Sequence, residues 1–242
     1  MIITIDGPTA SGKSTIARRL AGDLNIMYLN TGLLYRAFAY CLVHECGYAQ
    51  DTGPDESEST HQKPTLWSPA LEDIAFILDA GLIAYDYMLV GGACITYRGA
   101  PITDRLKLPH VDRWASIISA RPEVRTALLD LQRRLAQQRD TIAEGRDCGT
   151  VVFPAADYKF FITATPEIRA QRWRADQHNR GVVLTLDEAI NSLAERDTRD
   201  STRAVAPLVI APDAQVVDNS RLSARETVDY IKELLSRSET GN

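Results

Sequence analysis

Lysine is scarce: five lysines stand against 22 arginines in 242 residues. Genomic base composition can produce that bias, but arginine's planar fork also suits bidentate contact with phosphate, so the excess points weakly toward phosphorylated ligands. An excess of positive charge is equally absent. The net charge is −5, which argues against general binding to nucleic acid or to anionic membranes. No apolar run approaches the ~20 residues needed to cross a bilayer. No basic segment leads into a long apolar stretch at the N-terminus, so no signal peptide is expected and the cytoplasm is the default. Cysteines number four, Cys41, Cys46, Cys94 and Cys148, with no paired CxxC spacing. They read as reduced core or half-buried thiols rather than disulfides or a zinc site.

What is present is an alternation of strands and helices. Ile2 to Ile5 reads as a short buried strand, and from Lys13 a helix carries Ile16, Ala17, Leu20 and Leu24 on one face. Strand, glycine-bearing loop and helix in that order open an α/β nucleotide-binding domain. Thr31 to Cys46 reads as helix, and Gln50 to Thr65, polar and proline-bearing, as a mobile surface loop. Leu71 to Asp79 reads as helix. Leu82 to Met88 and Ala93 to Arg98 read as strands around a Gly91-Gly92 turn. Residues 47–110 are thus expected to form a small insertion outside the main sheet. Afterwards the alternation resumes, with a helix from Pro122, strands at Thr141–Glu144, Tyr158–Thr163 and Ala214–Val217, and helix starts at Thr165-Pro166-Glu167, Thr185/Glu188 and Ser223/Glu226.

Two stretches carry chemistry. Gly7-Pro8-Thr9-Ala10-Ser11-Gly12-Lys13-Ser14 matches the GxxxxGK[ST] phosphate loop in full and lies between a strand and a helix. The glycines let the backbone curl until successive N–H groups converge on phosphate oxygens, and the helix N-terminus adds its positive end. Lys13 can reach the β and γ phosphates and the Ser14 hydroxyl can ligate Mg²⁺; with the following Thr15 these residues form the expected ATP-phosphate set. The DxxG and NKxD motifs of a GTPase are missing, as is an apolar strand ending in Asp-Glu as in a motor ATPase. A kinase of small acceptors fits better.

The second stretch is Glu195-Arg196-Asp197-Thr198-Arg199-Asp200-Ser201-Thr202-Arg203. On a helix, Arg196, Arg199, Asp200 and Arg203 share one face. That face is either a solvated surface laced with salt bridges or a site where an anion, or fixed carboxylates, neutralises the arginines.

Along most of its length the sequence resembles bacterial cytidylate kinases. The resemblance lies in Ile3-Thr4-Ile5-Asp6-Gly7-Pro8, in Thr31-Gly32 with Tyr35-Arg36, and in Pro122 to Arg125. It continues through Gly145-Arg146-Asp147-Cys148-Gly149-Thr150-Val151-Val152-Phe153-Pro154, Glu195 to Leu208, and Pro212-Asp213-Ala214. It implies a P-loop NTPase fold of the adenylate-kinase-like type over residues 1–242: a parallel-sheet core flanked by helices, an acceptor-binding insertion at 47–110 and a lid at 173–200. The implied reaction moves the γ-phosphoryl group of ATP, with Mg²⁺, to CMP or dCMP. The sequence carries no signal for oligomeric state, and a monomer is the default expectation. Carried over by position, Thr31, Arg36, Arg146 and Arg203 resemble the acceptor-phosphate grip, and Ser116, Arg125 and Asp147 the base-reading set. Arg196 and Asp200 are similar to the contacts to the sugar, and Arg172 to an arginine near ATP. Lys13, Arg146, Arg196 and Arg203 are the catalytic candidates. Asn30 stands where the family usually has aspartate before Thr-Gly, and Lys107 where an arginine is expected.

Overall fold

The computed structural model describes residues 1–48, 66, 68–79, 81–88, 92–137 and 139–239. The Gln50–Thr65 loop expected from composition lies outside them, as does Gly91 of the expected hairpin turn. The chain divides into two compact units, Met1–Tyr28 with Arg139–Asn242, and Leu29–Gln138.

The first unit is built on a five-stranded sheet. In chain order its strands are β1 (Ile2–Asp6), β2 (Met27–Asn30, which crosses the unit boundary), β6 (Thr141–Glu144), β7 (Tyr158–Thr163) and β8 (Gln215–Asp218). Their spatial order is β2-β6-β1-β7-β8. β1 runs parallel to both β6 and β7, and β7 parallel to β8. Strands covered on both faces are largely apolar, and Ile3, Ile5, Ile142, Phe160 and Ile162 are all buried, with Thr4, Asp6, Glu144 and Lys159 among the buried polar exceptions. Helices α1 (Lys13–Leu24), α6 (Pro166–Asn179), α7 (Leu186–Thr202) and α8 (Ala224–Glu239) belong to this unit. Their starts follow local chemistry. Thr165 caps α6 ahead of Pro166, and Thr185 and Glu188 form a reciprocal capping box on α7. α6 and α7 meet through Ala170, Ala189 and Leu193.

The second unit holds α2 (Thr31–His44), α3 (Leu71–Asp79), α4 (Pro109–Ile118) and α5 (Pro122–Ala136). It also holds a separate antiparallel sheet of β3 (Ile83–Met88), β4 (Gly92–Tyr97) and the two-residue β5 (Ala100–Pro101). Leu34, Phe38, Leu42, Ile95, Trp114, Ile118, Val124 and Leu128 are buried. Asn30 caps α2 by accepting from the Leu33 amide at 3.1 Å. An asparagine oxygen does this as well as a carboxylate, so the Asn30 departure leaves the cap intact. Lys107 lies on the surface in an ion pair with Asp104 at 2.8 Å.

One helical expectation needs correction. Arg203 does not continue the face of Arg196, Arg199 and Asp200, because α7 ends at Thr202 and Arg203 is extended, with φ −61° and ψ 141°. Its Nε donates to the Ala206 carbonyl at 2.6 Å, beyond the helix end.

Candidate active site

The phosphate loop follows β1 at the carboxyl edge of the sheet, where β1 runs on to β2 on one side and its neighbour β7 runs on to β8 on the other, a place where α/β proteins bind ligands. Gly7 is obligatory: its φ is +150°, and a Cβ there would stand 2.1 Å from the Ile162 carbonyl oxygen. Lys13 opens α1 and is buried, with Nζ donating to the Pro8 carbonyl at 2.8 Å. Burial first, then repulsion from Arg146 and Arg196, brings its pKa down to about 7, with Glu144 and Asp200 partly opposing. The neighbouring Ser14 hydroxyl donates to Glu144 Oε1 at 3.0 Å, and Tyr28 donates to Oε2 of the same carboxylate at 3.0 Å.

Thr9 is engaged at three atoms. Its Oγ1 accepts from Arg146 at 2.8 Å, its carbonyl accepts from Arg169 at 3.2 Å, and its amide donates to Asp197 at 3.4 Å. Arg169 and Asp197 in turn pair with each other at 2.5 Å. Ala10 packs against the small α6–α7 core. Ser11 Oγ is buried, and the Ser11 carbonyl accepts from Asn219 Nδ2 at 2.9 Å. Arg172 also points at that carbonyl, at 3.4 Å, and is held by Asn219 through its side chain (2.9 Å) and carbonyl (3.0 Å). The arginine expected near ATP is thus tied to the phosphate loop.

Just past β6, Arg146 and Asp147 separate. Arg146 Nε donates to Asp200 Oδ2 at 2.8 Å, and Asp147 Oδ1 accepts from Arg203 at 3.3 Å. Burial works against the Asp200 carboxylate, but Arg146, Arg196 and Arg203 outweigh it and hold its pKa below the ordinary value. The carboxylates therefore neutralise arginines inside the fold. Only Arg199 of the expected face is fully exposed; Arg196 and Arg203 are half-buried and Asp200 is buried.

In the unit Leu29–Gln138, Thr31 begins α2 and is buried, and Arg36 Nε donates to Asp112 at 2.6 Å. Arg125, on α5, is buried with Nη1 on the Ser119 carbonyl at 2.9 Å and its guanidinium 5.4 Å from the centre of the Tyr35 ring. Ser116, on α4, is buried.

Five residues at this centre escape a sequence reading: Asp6, Glu144, Arg169, Asp197 and Asn219. Glu144 had a signal, since Thr141-Ile142-Ala143-Glu144 is a mostly apolar strand ending in one acid beside β1. The other four partner residues far along the chain. All four cysteines are buried or half-buried, with no disulfide among the described residues.

A parallel sheet, a complete phosphate loop with a buried lysine and inward arginines paired to carboxylates define a P-loop nucleotide-binding protein of the phosphotransferase kind. A family model described as Cytidylate kinase matches residues 3–237. The cytidylate kinase of Fervidobacterium nodosum is 37% identical over 233 residues, covering 96% of this chain and 95% of that protein. The cytidylate kinase of Bordetella bronchiseptica is 39% identical over 230 residues, covering 95% and 92%. The crystal structure of an uncharacterized protein from Eubacterium ventriosum is similar in fold, with a TM-score of 0.50 at 12% identity over 98% of each chain. The chain belongs to the cytidylate kinase family.

Proposed function

We propose that this chain transfers the γ-phosphoryl group of ATP to CMP or dCMP, giving ADP and CDP or dCDP. The observation that carries the reading is family membership across residues 3–237, a span that includes the phosphate loop and both arginine-bearing stretches. The acceptor oxygen belongs to a phosphate already ionised at neutral pH, so in-line attack needs no general base. Catalysis then rests on positioning and on charge stabilisation by Lys13, Arg146, Arg196 and Arg203.

The backbone from Gly7 to Thr15 is assigned to the ATP phosphates, with Arg172 beside it. Thr31, Arg36, Arg146 and Arg203 are assigned to the acceptor phosphate, Arg196 and Asp200 to the sugar, and Ser116, Arg125 and Asp147 to the base. An ionised Asp147 accepts only, which suits the cytosine amino group and opposes uracil O4, whereas Arg125 donates only and suits cytosine N3 or O2. The Ser14 hydroxyl and the Glu144 carboxylate, 3.0 Å apart, are hard oxygen donors of the kind Mg²⁺ takes alongside water and phosphate. They would hold the ion, which when bound neutralises charge on the transferred phosphoryl group. Residues 173–200 are assigned as a lid that excludes water, and 47–110 as the family-specific insertion. The protein is read as a monomer of the cytoplasm without nucleic-acid or membrane partners. Its net charge of −5 argues against general nucleic-acid or anionic-membrane binding, and no helix among the described residues is long and apolar enough to cross a membrane.

The test is an acceptor panel with ATP, read by coupled ADP release: CMP, dCMP, UMP, AMP and a non-nucleotide alcohol. CMP and dCMP are expected to lead. A lead for UMP or the alcohol overturns the acceptor assignment, and no ADP release with any acceptor would point to a nucleotide-binding regulator.

A further inference from the structure

Asp6 ends β1 immediately before the phosphate loop and is buried, and its carboxylate bonds to residues not assigned above to a substrate. Both of its carboxylate oxygens are engaged by backbone 142 and 143 positions away. Oδ1 accepts from the Cys148 amide at 2.9 Å, and Oδ2 accepts from the Gly149 amide at 2.7 Å. These are the first two amides of a five-residue π-type turn, Cys148–Val152, that follows Asp147 directly. The turn has no side-chain cap from Asp147, so its opening amides are met by Asp6 instead.

The fit is close around Gly149 as well. A Cβ at Gly149 would stand 2.8 Å from Thr4 Oγ1, 3.2 Å from Lys159 Cδ and 3.5 Å from Asp6 Oδ2. Lys159 holds the other end of the same segment, with Nζ on the Pro154 carbonyl at 2.6 Å. Burial pushes the Asp6 carboxyl up to about 6 against the pull of the two amides, and the nearby Asp147 charge adds to the rise. A buried carboxylate spent on two backbone amides and the Cys148 thiol of one turn is costly unless the placement of that turn matters.

We infer that Asp6 is a positioning residue for nucleotide-base selection: by clamping the Cys148 and Gly149 amides it fixes the backbone from which Asp147 reads the acceptor base. The inference rests on the base-reading role proposed for Asp147. Asp6 acts through Asp147 and touches no reacting atom. Loosening the clamp therefore weakens discrimination among acceptors more than it weakens the handling of ATP.

The test uses the full chain with ATP and either CMP or UMP. Asp6→Asn keeps the shape but turns one acceptor into an NH₂ group facing an amide N–H. The expected result is a CMP KM raised about tenfold and a CMP/UMP ratio of kcat/KM narrowed about tenfold, with the ATP KM within about twofold of the parent. In an Asp147→Asn background the same change should narrow the ratio no further, because the two residues act as one unit. A purely structural Asp6 would lower the melting temperature and depress both acceptors equally, leaving the ratio intact. That result, in a chain where Asp147→Asn does narrow the ratio, overturns the inference and leaves the base-reading role standing. An unchanged ratio in Asp147→Asn removes the base-reading role itself and the inference with it. If Asp6→Asn does not fold, Gly149→Ala decides by the same ratio, since its Cβ crowds Thr4 Oγ1 and displaces the turn from β1; an unchanged ratio there overturns the inference.

Discussion

Between Gly7 and Ser14 the positive potential for an anion comes from backbone N–H groups and a single lysine, whereas between Glu195 and Arg203 it comes from guanidinium groups on long side chains. The two segments belong to the same compact unit and meet at Thr9, but they solve different problems. Backbone donors are fixed by local geometry and lose little entropy when they bind. Arginines are long, rotamer-rich and mutually repulsive, so each needs a partner to hold it. Asp200 holds Arg146 and Asp147 holds Arg203. A phosphate loop can thus be built from eight consecutive residues, while an arginine cluster has to recruit carboxylates from elsewhere in the chain.

The sharpest way to break this comparison is at Lys13, the one cationic side chain of the phosphate loop. Lys13→Ala is expected to lower kcat by ~10³-fold or more, since several kcal/mol of transition-state stabilisation are lost. The buried amine already costs the fold desolvation, so the melting temperature should hold or rise. Near-normal kcat with an unchanged melting curve would sink the phosphate-loop assignment.

At the arginine segment the effect is smaller and position-dependent. Arg203→Ala and Arg196→Ala should each cut kcat/KM by ~10²-fold, because a charge-assisted contact is worth about 1.5–3 kcal/mol. Arg199, exposed on the same helix, serves as the control, and Arg199→Ala should stay within about threefold. Equal and mild effects at all three positions would return the segment to a solvated helix surface.

The same contrast explains what could be read from the sequence. Features set by neighbours in the chain were legible. β6 and β7 begin and end where the apolar pattern places them, and the Thr185–Glu188 box and the Ser223–Glu226 pair form as the spacing indicates. The β3–β4 hairpin and β8 fall within a residue of expectation. Features set by distant partners were not. Asp6 looks like the polar end of a buried strand until the Cys148 and Gly149 amides arrive. Asp197 reads as an ordinary helix carboxylate until it meets Arg169 and Thr9. The i, i+7 spacing of Arg203 predicts a helical face, yet the helix has already ended at Thr202 and Arg203 pairs with Asp147, 56 positions back in the chain. Periodicity carries the fold, but it holds no information on which buried charge meets which.

A third prediction concerns protons. Burial and neighbouring arginines lower Lys13 to about 7, so between there and its ordinary value of 10.5 the folded chain binds fewer protons than the unfolded one. This group's contribution to stability therefore rises with pH across that window and its full cost is present below about 7. A polyphosphate beside the amine reverses the balance and favours the ammonium form. ATP binding near pH 8 should thus take up as much as about one proton, and affinity should fall as pH rises through the window. Titration calorimetry in buffers of different ionisation enthalpy reads the uptake directly. Uptake unchanged in Lys13→Ala would assign it to another group.

The smallest effect is expected at Thr185, where local chemistry alone sets the start of the arginine-bearing helix. Thr185 Oγ1 accepts from the Glu188 amide at 3.2 Å while Glu188 Oε2 accepts from the Thr185 amide at 2.7 Å. Both residues are on the surface, and neither contacts the arginines or the phosphate loop in these hydrogen bonds. Thr185→Ala removes one half of the exchange and leaves the Glu188 amide to water, a loss of about 1 kcal/mol. For a chain of this size that is a fall of about 2–4 °C in melting temperature. The inward end of α7 is held separately, by Asp200 on Arg146 and by the Leu208 amide on the Asp200 carbonyl at 2.8 Å. If the two ends are independent, kcat/KM for CMP should remain within about twofold of the parent while the melting temperature falls. A loss of activity larger than the loss of stability would mean that the cap and the arginines are coupled along the helix. The contrast between a locally fixed start and a remotely fixed end would then have to be abandoned for a single cooperative element.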